Sequence, residues 1–341
     1  LPEEYGGLGL SNLDAMIIVE ELAAVDAGFE TTVDVNALAL APLLAFGTKE
    51  QKDKWLSEAG NDLAGDYISG YAISELEGTA NFDHPGKAPS GLRLTALRDK
   101  GRGDYILNGA KYWPSNCGGW DLHGANLNIV AVRTDPGSGA NTGLSYALVP
   151  RGTKGVSYKQ PIRKLGLNTA QSNWMEFEDC RIPEDAIFAH GEGATVLTRA
   201  FTWTGPGIGI AAVGIARAAY EWALDFAKSY TGGGSVPIIE HQAVGYALAD
   251  VAMKIEAARY LCWKVAHYLD AHEGQGDPYG AMAKVLPTEM LMEAVYKCMQ
   301  VVGVTSLDRE HPMERYMRDA MVLPIYDGGN LGMQRRKIWG A

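Results

Sequence analysis

Apolar and polar positions change period twice along the 341 residues. From about residue 10 to 60 the pattern is helical. Ile17, Ile18, Leu22 and Ala23 fall on one face, and Ser11 stands where an N-cap belongs. Thr48 and Gln51 form a capping-box pair ahead of Trp55, and Gly47 punctuates the helix before it. From about 66 to 190 the period shortens to two. Leu92 to Leu97 alternates as a half-buried strand does, and Tyr105-Ile106-Leu107 runs into Asn108-Gly109, which predicts a tight hairpin. Asn128 to Val132, Leu144 to Val149, Gly155 to Tyr158 and Trp174 to Phe177 also read as strands. Turn residues recur about every eight to twelve positions, as in a small barrel or sandwich. Asp135 to Thr142 reads as an exposed Gly/Pro/Asn loop. Beyond about 193 three long helical segments follow, 195–229, 238–272 and 279–304. The first carries Gly207, Gly209, Ala211, Ala212, Gly214, Ala216 and Ala219, small residues that let another backbone approach closely. Pro287 is expected to kink or interrupt the third.

The order helices, strands, helices predicts an α+β multidomain protein. Its parts are an N-terminal helical domain over 1–64, a central β-barrel or sandwich over 65–192, and an antiparallel helical bundle over 193–341. From the start at Leu1 rather than Met, and the end just past Trp339, both terminal domains are expected to be truncated. No GxGxxG follows a strand and no P-loop occurs. Gly205-Pro206-Gly207-Ile208-Gly209 resembles a phosphate loop only superficially, since it lies inside a helical segment.

Composition narrows the function. With 47% hydrophobic and 21% charged residues the chain is neither disordered nor fibrous. A net charge of −11 argues against nucleic acid or an anionic membrane as the main partner. The longest uncharged stretch, Ala200 to Ala216, is glycine-rich and short for a bilayer span, and no signal-peptide pattern is present. Cys117, Cys180, Cys262 and Cys298 form no CxxC pair, which fits a reducing, cytoplasmic setting. No HxxxH or HExxH spacing points to a metal.

Four constellations carry possible chemistry. In Lys111 to Asp121, Trp113 and Trp120 flank Ser115, Asn116 and Gly118-Gly119. They suit a flat heteroaromatic ring, or equally a glycine-rich corner packing on helices. Tyr71 to Asn81 ends a strand in a loop whose amides and hydroxyls suit polar ligand atoms, or form a solvated turn. In Tyr326-Asp327-Gly328-Gly329-Asn330 the carboxylate is either a general base or the N-cap of a helix starting near Leu331. His241 and Gln242 open a long helix, where they either bond a cofactor or serve as ordinary helix residues.

Together these strings resemble the acyl-CoA dehydrogenase superfamily over essentially the whole chain. Leu1 to Gly9, Ser74 to Asn81, Trp113 to Asn116, Gln300 to Gly303, Arg318-Asp319-Ala320 and Tyr326-Asp327-Gly328 fall in the family's order. Within it, Trp113 to Asp121, Gly233-Gly234-Ser235 with Ile238 to Gln242, and Asp327 to Asn330 look like the nitroalkane oxidase branch. The resemblance implies FAD, with Tyr71, Ile73, Ser74 and Thr79 as flavin contacts and Trp113 and Ser115 along the isoalloxazine. It assigns His241, Gln242, Gln300, Gly303, Gly329 and Asn330 to the cofactor as well, Gln242 and the Gln300–Gly303 segment at its adenine and pyrophosphate end and partly from a neighbouring subunit of a homotetramer. Asp327 matches the base that takes the proton next to an activating group, with Thr204 and Tyr326 toward a small-molecule substrate. Most of the superfamily has glutamate at the base, so aspartate matches the nitroalkane oxidase branch.

Three positions depart from that pattern. Gln334 stands seven residues after Asp327, where an arginine supports the base, and its presence bears on the pKa of that carboxyl. Thr204 stands for a serine, and Thr231-Gly232 for an arginine that meets the pyrophosphate. The leading expectation is a flavoenzyme turning nitroalkanes into aldehyde or ketone, nitrite and peroxide. The alternatives are an acyl-CoA dehydrogenase that passes electrons to an acceptor protein, and a flavin-poor, non-enzymatic relative.

Overall fold

The alternation around Leu92 does place a strand. Leu92, Leu94 and Ala96 are buried, and β2 (Thr95–Arg98) pairs antiparallel with β3 (Tyr105–Ser115). In this computed structural model every residue is described except Gly78, Glu273, Gly276, Asp277 and the side chain of Thr79. The chain divides into two units, taken in turn: Leu1–Leu10, Thr32–Arg163 and Ala170–Ala200, then Ser11–Thr31, Lys164–Thr169 and Phe201–Ala341.

The first unit holds the end of α1 (Asn12–Phe46), α2 (Lys49–Gly60), β1 (Ser69–Ala72), β2, β3, β4 (Leu127–Arg133), the single turn α3 (Ala140–Gly143), β5 (Leu144–Pro150), β6 (Val156–Tyr158), β7 (Ser172–Ile182) and β8 (Ile187–Phe188). Thr48 and Gln51 do make the reciprocal cap of α2. Among the described residues the strands join in one eight-stranded sheet ordered β6-β7-β3-β2-β4-β5-β8, with β1 beside β4. The β domain is thus realised as an open sheet, since β6 and β8 at its two ends do not pair among the described residues, and β1 and β2 succeed each other along a single edge of β4. β1 pairs in parallel over Leu127 to Val130, and β2 touches it only at Thr95↔Arg133.

Asn108-Gly109 is not a hairpin turn, contrary to its dipeptide signal. β3 runs straight through it, and the ladder with β7 shifts register between Leu107 and Gly109. Gly109 takes φ +135°, a bulge geometry, and Asn108 bonds Asp179 through Asp179 N to Oδ1 at 2.8 Å. The β2–β3 turn lies earlier, closed by Asp99 N on the Asp104 carbonyl at 2.7 Å. Asn-Gly favours positive φ, and a bulge satisfies that preference as well as a turn does.

The second unit is helical: the start of α1, most of α4 (Gly193–Ser229), then α5 (Gln242–Ala271), α6 (Tyr279–Val302), α7 (Met313–Val322) and α8 (Arg335–Trp339). Ser11 caps α1 by accepting from Asp14 N at 3.1 Å. By length and composition alone α1 passes as a bilayer span, yet Met16, Val19, Ala23 and Ala27 are buried in the helical core of this unit. Helices α5 and α6 run antiparallel, with Cys262 against Ala283 near one end and Lys254 against Glu293 further along.

The small residues of α4 do admit other backbones. A Cβ on Gly209 would stand 2.0 Å from the Ala283 carbonyl, one on Gly205 2.1 Å from the Gly280 carbonyl, and one on Gly214 2.4 Å from the Glu20 carbonyl. The Gly205–Gly209 string is therefore the crossing point of α4 on α6, not a phosphate loop. Pro287 does not interrupt α6, which runs unbroken through it. Proline leaves the carbonyl four residues earlier without its helical donor. That carbonyl belongs to Ala283, and it takes the Cys262 thiol at 3.7 Å.

Gly209→Ala should therefore lower stability by about 1–3 kcal/mol through overpacking. Gly207→Ala, whose Cβ meets nothing nearer than Met16 Cε at 3.8 Å, should be neutral or stabilising. Chemical denaturation of the two variants checks the contrast.

Candidate active site

After α7 the chain makes a turn that few sequences tolerate. Asp327, Gly328 and Gly329 take φ of +49°, +83° and +57° in succession. Glycine accepts the left-handed region freely, whereas aspartate there is strained and must be held. Asn330 N bonds the Pro324 carbonyl at 2.8 Å, and Gly329 N bonds that of Tyr326 at 3.2 Å. Gln334 Nε2 donates to the Asp327 carbonyl at 2.9 Å. From α6, Lys284 Nζ donates to the Tyr326 carbonyl at 2.7 Å and to Asn330 Oδ1 at 3.1 Å. Asn330 Nδ2 returns to Thr288 Oγ1 at 2.9 Å and Glu289 Oε1 at 3.1 Å. The next six residues, Gly329–Gln334, wind as a π-helix, a form that recurs at functional sites.

Among the described residues the Asp327 carboxyl caps no helix. Gly328 is the residue at the cap position and no side chain bonds there. Instead Asp327 Oδ2 accepts the Thr204 hydroxyl from α4 at 2.8 Å. Burial pushes the Asp327 pKa above the usual carboxylate range, against the opposing charges of Lys284 and Lys337 and the Thr204 bond. Burial also pushes Lys284 down to about 8, while Asp327 and Glu289 pull it back up. Thr204, Tyr326, Asp327, Gly329 and Asn330, all named from sequence, thus form one bonded group.

His241 and Gln242 open α5, and Gln300 and Gly303 close α6, so the antiparallel pair puts them at one end of the bundle. Lys284 and Gln300 are 16 positions apart on α6, or about 24 Å. These four therefore stand well away from the Asp327 turn. Gln242, Gln300 and Gly303 are exposed, and Gln242 Nε2 bonds Tyr246 Oη at 2.6 Å.

In the first unit, Trp113 takes φ +74° and keeps 49% of its surface exposed, with Tyr112 edge-on at 4.7 Å between ring centres. Ser115 Oγ meets Ser172 Oγ at 3.2 Å. The Tyr71 side chain does not present itself to a ligand. It is 6% exposed, and its hydroxyl meets that of Tyr146 at 2.6 Å. A strand fully buried along its length turns every side chain into the core, so only its backbone is left to offer. Ile73 is likewise buried, its carbonyl accepting Lys111 Nζ at 3.0 Å, and the Ser74 carbonyl takes Tyr112 N at 2.8 Å. The Thr79 side chain lies outside the described residues.

Two buried lysines went without a role in the sequence reading. Lys111 pairs with Glu75 at 2.7 Å, and Glu75 accepts Leu94 N at 3.0 Å and Arg93 N at 2.6 Å. That network pins the 73–75 segment to β2 and β3. The signal available in sequence for Lys284 was a single charge inside the apolar run Ala281 to Leu286.

Sequence profiles of the acyl-CoA dehydrogenase N-terminal, middle and C-terminal domains match residues 1–61, 73–180 and 191–339. A probable acyl-CoA dehydrogenase, FadE25, of Mycobacterium tuberculosis is 35% identical over 97% of this chain and 80% of its own length. The chain belongs to the acyl-CoA dehydrogenase family. It is a flavin-dependent oxidoreductase of that superfamily, whose relatives use FAD. Nitroalkane oxidase of Fusarium oxysporum is 33% identical over 99% of this chain and 80% of its own length. A crystal structure of nitroalkane oxidase with spermine, a competitive inhibitor, superposes with a TM-score of 0.92 at 30% identity, covering 100% of this chain and 82% of the other. The residues present fit a flavin in their donor chemistry. A half-exposed indole held edge-on by Tyr112 offers a flat apolar face, and Ser115 offers a hydroxyl two residues further on.

Because burial raises the Asp327 pKa, the folded protein holds that proton more tightly than the unfolded chain does. Its stabilising contribution is full below about pH 4 and is lost as pH rises through the raised value. Denaturation of cofactor-free protein across that range should show this slope, and Asp327→Asn should remove it.

Proposed function

We propose that this flavoenzyme removes a proton from the acidic C–H of a small nitroalkane with Asp327, yielding aldehyde or ketone, nitrite and hydrogen peroxide. The observation that carries the reading is the Asp327 carboxyl itself, partly desolvated, raised in pKa and fixed by Thr204. A base works best when its pKa approaches the operating pH, and burial moves Asp327 that way. Thr204 donates to Oδ2 and so holds the carboxyl in place. Lys284 and Lys337 stabilise the carboxylate before transfer. Aspartate is one methylene shorter than glutamate, which suits a substrate carbon drawn close to the turn. Trp113 and Ser115 are the side chains that would hold the flavin, joined by the backbone of Tyr71 to Ser74. FAD, when bound, supplies a two-electron acceptor whose reduced form oxygen can reoxidise.

The 35% identity to a probable acyl-CoA dehydrogenase favours a second reading, in which the same base acts next to a CoA thioester and electrons pass to an acceptor protein. Anaerobic mixing with nitroethane and then with acyl-CoA esters separates the two. Bleaching of the flavin absorbance by nitroethane, and nitrite and peroxide in air, is the expected result. Bleaching by a CoA ester alone selects the dehydrogenase. A colourless protein that FAD does not stabilise against heat rejects both. Asp327→Asn should keep its flavin and lose about 10²–10⁴-fold in the rate of flavin reduction. Normal turnover in that variant would remove Asp327 as the base.

A further inference from the structure

We propose that Lys284 is the positioning residue for Asp327, fixing the strained turn through the Tyr326 carbonyl and Asn330 while supplying the positive charge that keeps the base ionisable. The inference rests on Asp327 acting as the base.

Lys284 is fully buried among Ala281, Ala283, Val285 and Thr288 of its own helix, with 0% of its surface exposed. An ammonium buried like this is costly unless something uses its charge. Its hydrogen bonds go to two neutral oxygens that bracket Asp327, one just before it in sequence and one three residues after. A neutral donor would serve those two bonds. What a neutral donor would not do is favour the ionised carboxyl beside them.

Of the charged groups acting on the base, Lys284 acts most strongly. On the π-helical turn, Gln334 is neutral and spends its amide on the Asp327 carbonyl. Its Oε1 has no hydrogen-bond partner among the described residues. Arg335 is held by Glu289, both contacts at 2.7 Å, and Glu289 also accepts Asn330 Nδ2. On α4, Thr204 offers a hydroxyl without charge. On α8, Lys337 acts on Asp327 more weakly than Lys284. The residue seven positions after the base is a glutamine here, and the cation arrives from a different helix.

The test follows the Asp327 carboxyl directly in the flavin-loaded protein, by infrared or carbon NMR titration assigned against Asp327→Asn. In the native protein the carboxyl signal should show a second inflection near pH 8, where Lys284 loses its proton. Lys284→Met should move the carboxyl titration to higher pH, and Lys284→Arg should return it partway. Gln334→Arg added to Lys284→Met should also return it by supplying a cation from the neighbouring position. If Lys284→Met does not fold, Lys284→Gln, which keeps a donor and drops the charge, is expected to give the same upward shift. An unshifted carboxyl in a folded charge-free variant overturns the electrostatic role. With nitroethane, flavin reduction in the charge-free variant should fall about tenfold near neutral pH and recover as pH rises. Absence of nitroethane turnover in every form would sink the nitroalkane reading but leave the carboxyl titration legible.

Discussion

A carboxylate that takes a proton from carbon must be dry enough to want it and charged enough to be ready. The reading of Asp327 as such a base rests on one strained turn that meets both demands. Burial raises its proton affinity, while the Thr204 hydroxyl and the lysines on α6 and α8 hold the charged form in reach. Left-handed backbone at a non-glycine residue persists only where its surroundings over-determine it. Here Lys284, Gln334 and two backbone amides do so.

That turn inherits its precision from helix packing some distance along the chain. Lys284 reaches Tyr326 because α6 is fixed against α4, and α4 approaches so closely because Gly205 and Gly209 carry no Cβ. Thr204, which holds the carboxyl, directly precedes Gly205 on that same stretch of α4. One segment therefore both sets the helix spacing and presents the hydroxyl. Pro287 belongs to the same arrangement, since the carbonyl it frees is taken by Cys262 rather than left bare in the core.

In the β unit a different interaction does the comparable job. The buried Lys111–Glu75 pair, with two backbone amides on the carboxylate, ties the segment after β1 to its neighbouring strands. Buried pairs contribute little net stability once desolvation is counted, but they define a position sharply. Trp113, projecting from positive φ at the end of β3, is held by the edge of Tyr112.

Periodicity in the sequence determined the sequence of helical and strand regions, because burial of one face imposes a repeat that survives without coordinates. Caps at Ser11 and Thr48 were equally legible, being local chemistry over three residues. The Asp327 string and its likeness to a flavoenzyme family could also be read directly. Three things could not. Asn108-Gly109 satisfies a turn and a bulge alike, so only its cross-strand partner Asp179 decided between them. Tyr71 carried a hydroxyl in a promising string, yet burial of the whole strand committed it to Tyr146. The positive charge that acts most on Asp327 comes from Lys284, 43 positions before it in sequence. Coulomb attraction depends on distance in space, and a linear chain does not show which of its charges folding will bring together.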